Sequence, residues 1–431
     1  MALTGRAGLL ALAGVLVVGL VAPSWWGVLA VSLVVLALAA LDLALAGSVR
    51  ALRVTRHGTS NVRTGEPCEV VVMVHNPGPR RVRGVLRDAW PPSAGAEGQR
   101  HDVDVPPGER RRVVTALRPS RRGDRPAGPV TVRAVGPLGL AARQGSHRAP
   151  WTVRALPPFT ARRHLPARLA RLRELDGRAA VRTRGQGTEF DALRDYVAGD
   201  DVRSIDWRAT ARRGGVVVRT WRPERDRHVL VVLDTSRTAA GRVGDAPRLD
   251  AAMDAALLLA ALATRAGDRV DLLAFDRRVR ARVEGASAAD VLPSFVQAMA
   301  PLEAELVEAD MRALVSTVLA RTSRRSLVVL LTGLDPAPLE EGLLPVLGQL
   351  VRRHQLLVAG VADPRVAELA AGRGTAAAVH GAAAAERELT RRALVAAELA
   401  RHGVEVVDAL PEDLAPALAD RYLDLKAAGR L

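Results

Sequence analysis

Hydrophobic and polar positions follow three rhythms along this chain of 431 residues. Residues 9–22 and 25–46 are apolar almost without interruption, parted only by the turn Pro23-Ser24. The second run is long enough to cross a hydrocarbon core of about 30 Å at about 1.5 Å per residue, and the first barely spans when counted from Ala7. Trp25 and Trp26 stand beside the turn as an interfacial aromatic anchor, and Asp42 lies near the far end of the second run, where it can reach water. Arg6 precedes the first run, Arg50, Arg53 and Arg56 follow the second, and the turn has no basic residue. This bias predicts a transmembrane helical hairpin over 1–48 with both ends cytoplasmic, and with everything after Arg50 on that side. A cleaved signal peptide would also begin with Arg6 and an apolar stretch, but a longer span directly behind it argues against cleavage.

Between 49 and 156 the period falls to two. EVVVMVHNPG, RRVRGVLRDAWPP, HDVDVPPG, RRRVVTALRPS and GPVTVRAVGP are short strands broken by Gly/Pro turns, and they predict an antiparallel β-sandwich-like domain. A connecting segment runs over 157–227. Leu165, Leu169, Leu172 and Leu175 at helical spacing predict one helix there. Phe190, Leu193 and Val197 on one stripe predict a second over 189–197, ended by Gly199. Asp200 or Asp201 then caps a short helix over 202–207, and 216–221 is a strand.

From His228 the rhythm changes again. Strand-length apolar runs at 229–234, 269–275, 278–284, 326–332, 356–361 and 404–408 alternate with helical patterns at 248–266, 287–299, 309–321, 338–353, 384–402 and 411–427. That alternation predicts an α/β doubly wound domain over 228–431. Residues 371–385 are Ala/Gly-rich and low in complexity, and are left without an element.

Composition narrows the function classes. The formal charge is +16, and Lys426 is the one Lys among 62 basic residues. Arg in place of Lys together with heavy Ala use reads as GC-rich coding, which weakens the case for nucleic acid. A basic surface facing anionic membrane lipid explains the charge equally well. Cys68, the single cysteine, sits in an apolar strand and rules out an intrachain disulfide or a cysteine-based metal cluster. There is no P-loop, G-x-S-x-G or HExxH, and the nine His are scattered. The adjacent carboxylates Asp200 and Asp201 diverge, so no enzyme is expected, a metal-dependent hydrolase being the least remote.

Two places carry candidate chemistry. Asp234, Ser236 and Thr238 stand at or just past the end of the first strand of the doubly wound sheet, where ligands bind. A carboxylate with hydroxyls two and four residues on suits Mg²⁺ or another hard divalent cation, which keeps waters and can accept a partner's carboxylate. The second place is GTEFDALRDYVAGDDVRSIDW, residues 187–207, with six acidic residues around a Gly-Asp-Asp turn. Arg194 with Asp195, and Arg203 with Asp206, can form charge-assisted pairs that lock it. Asp200 and Asp201 can meet a basic partner, and Tyr196 and Trp207 suit either a core or an interface anchor.

The Asp-x-Ser-x-Thr loop resembles the metal-ion-dependent adhesion site of von Willebrand factor A domains, with Thr238 for the last Ser. That resemblance implies a Thr from a second loop and an Asp from a third. A second-loop Gly-Gly-Thr is missing and Thr317 is a loose candidate for the former; Asp335, displaced by two positions after Leu331-Thr332, is the candidate for the latter. A functional and a degenerate metal site both remain open. The run from Gly187 through Glu189, Arg194, Asp195, Tyr196, Asp200, Asp201, Arg203, Asp206 and Trp207 to Arg212 resembles the signature of the DUF58 family. Gly136-Pro137-Leu138-Gly139-Leu140 is similar to that family's β-domain turn, with Gly136 where Asp is usual. The resemblance implies a von Willebrand A-like domain after the signature and partnership with a MoxR-type AAA+ ATPase acting on client proteins. The expectation is a membrane-anchored, cytoplasm-facing adaptor or assembly factor that binds proteins through these two places. The alternative is a basic surface for nucleic acid or anionic lipid.

Overall fold

The computed structural model describes residues 2–21, 23–182, 189–198, 200–222 and 227–431. They form two compact units, 1–158 and 159–431.

The first unit opens with helices Gly5–Val21 and Trp25–Leu45, the second started by Ser24, whose side chain accepts from the Gly27 N–H. The stretch Trp25–Ala51 is long and apolar enough to cross a membrane, whereas Gly5–Val21 is the shorter of the two. Leu9, Leu16, Leu20, Trp25, Trp26 and Leu33 are all exposed. The helices approach so closely at Gly14 that a Cβ there would overlap Val31.

The β-rich remainder is built from a five-stranded, a four-stranded and a three-stranded sheet. Val72, Val74 and Val113 from the four-stranded sheet share one core with Val82, Leu86, Val103, Val130 and Val132 from the five-stranded one. Alternation produces this core: strand Val130–Val135 buries every second residue. Beside it, Arg56 and Asp88 form a fully buried pair at 2.5 Å. Trp90 Nε1 and Thr115 Oγ1 donate to the other carboxylate oxygen, each at 2.8 Å, so the pair is satisfied on both sides.

Asp42 does not reach water. It is wholly buried, and its carboxylate accepts the Leu138, Leu140 and Ala141 N–H groups at 2.7, 2.7 and 2.8 Å. The physical reason is the turn at 136–141, whose free backbone donors form a nest for an anion. A Cβ at Gly136 would overlap that carboxylate. The short strand Ala2–Leu3 extends the same sheet by pairing with strand Ala141–His147, so both ends of the helical pair are tied to this turn region.

In the second unit, helix Leu165–Arg182 buries Leu172, and Arg168 and Arg171 bind Asp420 and Asp424 of helix Pro411–Ala427. A six-stranded sheet follows, in the order Val279–Val283, Arg269–Phe275, His228–Asp234, Leu327–Leu331, Gln355–Val361, Glu405–Ala409. All neighbours are parallel except the edge strand 279–283, which turns back on 269–275. Strands 228–234, 327–331 and 355–361 are buried along their length because helices cover both faces. Leu230 and Val232 face a core shared with helices Met311–Arg321, Leu344–Val351 and Ala376–Arg401. Helix Arg248–Arg265 packs on the sheet with helix 411–427 and is buried from Ala255 to Ala263.

Residues 371–385 are more ordered than their composition suggests. Thr375 caps helix 376–401 by accepting the Ala378 N–H, and Ala382 and Ala385 are buried. Alanine is the best helix former, and the neighbouring helix Pro364–Ala370 gives the small side chains something to pack on.

Candidate functional site

The strand order 3-2-1-4-5-6 places its reversal between strands 228–234 and 327–331, and the crevice beyond their carboxyl ends is where such sheets take ligands. Asp234 stands at the end of the first of these strands and Thr332 just past the end of the second. The Asp234 carboxylate is almost fully buried and is engaged on both oxygens. Oδ1 accepts the Ser236 N–H at 2.7 Å, and Oδ2 accepts the hydroxyls of Thr238 and Thr332, each at 2.5 Å. Ser236 Oγ lies 3.2 Å from Thr238 Oγ1. The three residues of the Asp-x-Ser-x-Thr loop do converge, and a turn that brings the hydroxyl at i+4 back onto the carboxylate is the local reason.

The other two expected donors are engaged in bonds of their own. Thr317 lies on helix 311–321 and donates to the Ala313 carbonyl at 2.7 Å, a bond within its own helix turn. Asp335 is paired with Arg248, at 3.1 Å from Nη1. Thr332 and Arg248 are the residues that sequence reasoning passed over. The Leu-Leu-Thr strand end was the signal for the first; Arg248, at the start of a helix, carried none.

The oxygens of this set are of the type Mg²⁺ takes, but Asp234 Oδ2 already accepts two hydroxyls, and the second carboxylate is neutralised by a guanidinium. As the side chains stand, they do not fit a divalent cation. Just past the end of the neighbouring strand 269–275, Asp276 is buried and accepts the Arg277 and Arg278 N–H groups, with Thr235 Oγ1 at 3.3 Å. It closes the neighbouring loop without joining the cluster bonds named above.

The signature segment has a different architecture from the one its spacing predicts. Residues Glu189–Asp195 are a strand paired antiparallel with Val217–Arg222, not the beginning of a helix. A register shift between Phe190 and Ala192 lets Phe190 and Leu193, three apart, pair with Trp221 and Arg219, two apart. A three-residue spacing therefore mimics helical period. The side chain of Glu189 and the whole of Gly199 lie outside the described residues.

The ion pairs also differ from expectation. Arg194 binds Asp200 through two bonds of 2.7 and 2.5 Å and reaches only the backbone carbonyl of Asp195. Asp206 is bound by Arg219 at 2.8 Å rather than by Arg203. A bridge between Ile205 and Val218, with the Asp206 N–H donating to the Val217 carbonyl, brings residue 206 beside 219, and the Val197 N–H holds the Asp200 carboxylate in the turn that faces Arg194. Two backbone N–H groups, from Ala209 and Arg208, with Arg219, hold the Asp206 carboxyl below the usual range and make it the cap of helix Trp207–Arg213. Asp201 is exposed and caps the turn Val202–Ser204. Asp200 is half-buried by its pair. Trp207 is 68% exposed and Tyr196 38%, so neither is a core residue here.

Comparison with known proteins gives a family match over just under half of the chain and no activity. Residues 192–401 match the family described as Protein of unknown function DUF58, and the chain carries a DUF58 domain. The uncharacterized proteins Mb1516 of Mycobacterium bovis and Rv1480 of Mycobacterium tuberculosis are each 27% identical over 188 residues, 43% of this chain. The match spans 58% of the length of these relatives. Among solved structures, the CARDB domain of the PF1109 protein from Pyrococcus furiosus is 17% identical over 24% of this chain and 86% of that one. Its TM-score of 0.18 is too low to bear on the fold.

Proposed function

We propose that this protein is a membrane-anchored adaptor or assembly factor whose C-terminal unit is a von Willebrand A-like docking domain. Its residues 1–48 act as a two-helix membrane hairpin with the rest of the chain on the cytoplasmic side. Its partner is a MoxR-type AAA+ ATPase, with which it acts on client proteins. One observation carries the reading most: a carboxylate and three hydroxyls meet at the switch point of a doubly wound sheet, without the nucleophile and base that a hydrolase would need. Exposed Trp207, Val202 and Asp201 on the signature segment supply a second surface with the mix of aromatic, apolar and charged groups that interfaces use.

The test is capture from native membranes followed by mass spectrometry. The tagged chain is compared with Asp234→Ala and Trp207→Ala. An AAA+ ATPase retained by the wild type and lost in either variant supports docking through that face. If the wild type brings down no ATPase, the partnership is wrong. The alternative, a basic surface for anionic lipid, draws on Arg208, Arg212 and Arg213, all exposed around Trp207. It would gain if the purified protein bound anionic vesicles with steep salt dependence and captured no protein.

A further inference from the structure

At the switch-point crevice, where the Asp-x-Ser-x-Thr loop suggests a bound cation, the chain already supplies one of its own. Arg248, the first residue of helix 248–265, sends its guanidinium to Asp335 at 3.1 and 3.4 Å. Gly333 separates this pair from the Asp234 cluster. A Cβ at Gly333 would lie 2.6 Å from Asp335 Oδ2, 3.3 Å from Thr238 Cβ and 3.4 Å from Arg248 Nη1. The guanidinium, the Asp335 carboxylate and the Thr238 side chain therefore crowd around one glycine that has no room for a side chain. Arg248 Nε is buried with no hydrogen-bond partner among the described residues, and it lies 3.5 Å from where a Cβ would stand on Gly241. The side chain is thus enclosed by the loop as well as bonded through its tip.

We propose that Arg248 serves as the built-in cation of this crevice: it fixes the 332–335 loop through Asp335, and the site takes no divalent metal. A second cation entering between Asp234 and Asp335 would face that guanidinium at short range. Direct coordination by Asp234 Oδ2 would also have to displace the two hydroxyl bonds that this oxygen already accepts. The loops then hold one shape whatever the metal concentration, unlike a site whose geometry waits for an ion. This concerns the crevice of the proposed adaptor, but its test reads metal and stability rather than partner capture, so the two readings fail separately.

The experiment uses the full chain in detergent micelles. Thermal midpoints are measured in chelator, in Mg²⁺ and in Mn²⁺ for the wild type, Asp234→Asn, Arg248→Gln, Asp335→Asn and the Arg248→Gln/Asp335→Asn double variant. The wild type should melt alike in all three conditions. Each variant at 248 and 335 should lose about 2–4 °C in chelator, and the double variant no more than the worse single. Arg248→Gln, with two uncompensated carboxylates, should regain midpoint when Mn²⁺ is added. A wild-type midpoint that rises saturably with metal, and stops doing so in Asp234→Asn, overturns the proposal. Additive losses in the double variant, or no metal response in Arg248→Gln, overturn it as well. Should Arg248→Gln fail to fold, Arg248→Lys keeps the charge, and any metal response in it counts against the proposal.

Discussion

Thr332 closes the hydrogen-bonded cluster at Asp234 from a different strand, and its hydroxyl is one of three donors to a buried carboxylate. Thr332→Val preserves shape and removes only that donor. It should cost about 1–3 kcal/mol, read as a lower denaturant midpoint with unchanged slope, since a buried carboxylate loses a bond it cannot replace with water. His354 offers a pH prediction. It is buried, and its Nε2 lies 3.1 Å from Thr322 Oγ1, whose own proton goes to the Val318 carbonyl. Nε2 is therefore the protonated nitrogen, and Nδ1 has no partner among the described residues. Burial, followed by Arg353 and His228, pushes the imidazole below its ordinary 6.5. The unfolded chain then takes up a proton before the folded one does. The stability owed to neutral burial is complete above 6.5 and is lost as pH falls through the folded value. His354→Leu should flatten this part of the stability-against-pH curve; an unchanged slope would show that other groups set it.

Elements depend on what they meet. Residues 189–195 carry apolar positions at a spacing that suits a helix, yet strand 217–222 supplies a ladder, and a bulge absorbs the odd spacing. Residues 376–385, which composition leaves open, become helix once a cap and a packing partner exist. The helix Trp25–Leu45 ends in Asp42, which is bound to the 136–141 turn and needs Gly136 to have no side chain. Gly136→Ala should expel the carboxylate and leave three backbone donors unpaired, at a cost on the order of 3 kcal/mol. The loss would be seen as faster proteolysis of the β-rich unit in micelles. If Gly136→Ala resists protease as well as the wild type, the carboxylate does not brace that turn.

For the whole molecule, the helices at 5–21 and 25–45 expose Leu, Val and Trp all round, which is costly in water and favourable in lipid. The charge of +16 adds attraction to anionic headgroups. If the hairpin reading holds, protease added outside intact cells should leave a C-terminal tag whole, and permeabilised cells should lose it. Cleavage in intact cells would reverse the topology.

Sequence alone determined a good deal here. Long apolar runs, period-two segments and alternating strand and helix lengths report local solvent environment, and the structure places elements close to those positions, including all six strands of the sheet from His228 to Ala409. Asp234, Ser236 and Thr238 were legible because one loop holds them together at fixed spacing. Partners far apart in the chain were not legible. That Arg248 takes Asp335, Arg219 takes Asp206 and the turn at 138–141 takes Asp42 depends on which loops the sheets bring side by side. A carboxylate is satisfied by whichever donor arrives nearest in space, and spacing along the chain carries no record of that distance.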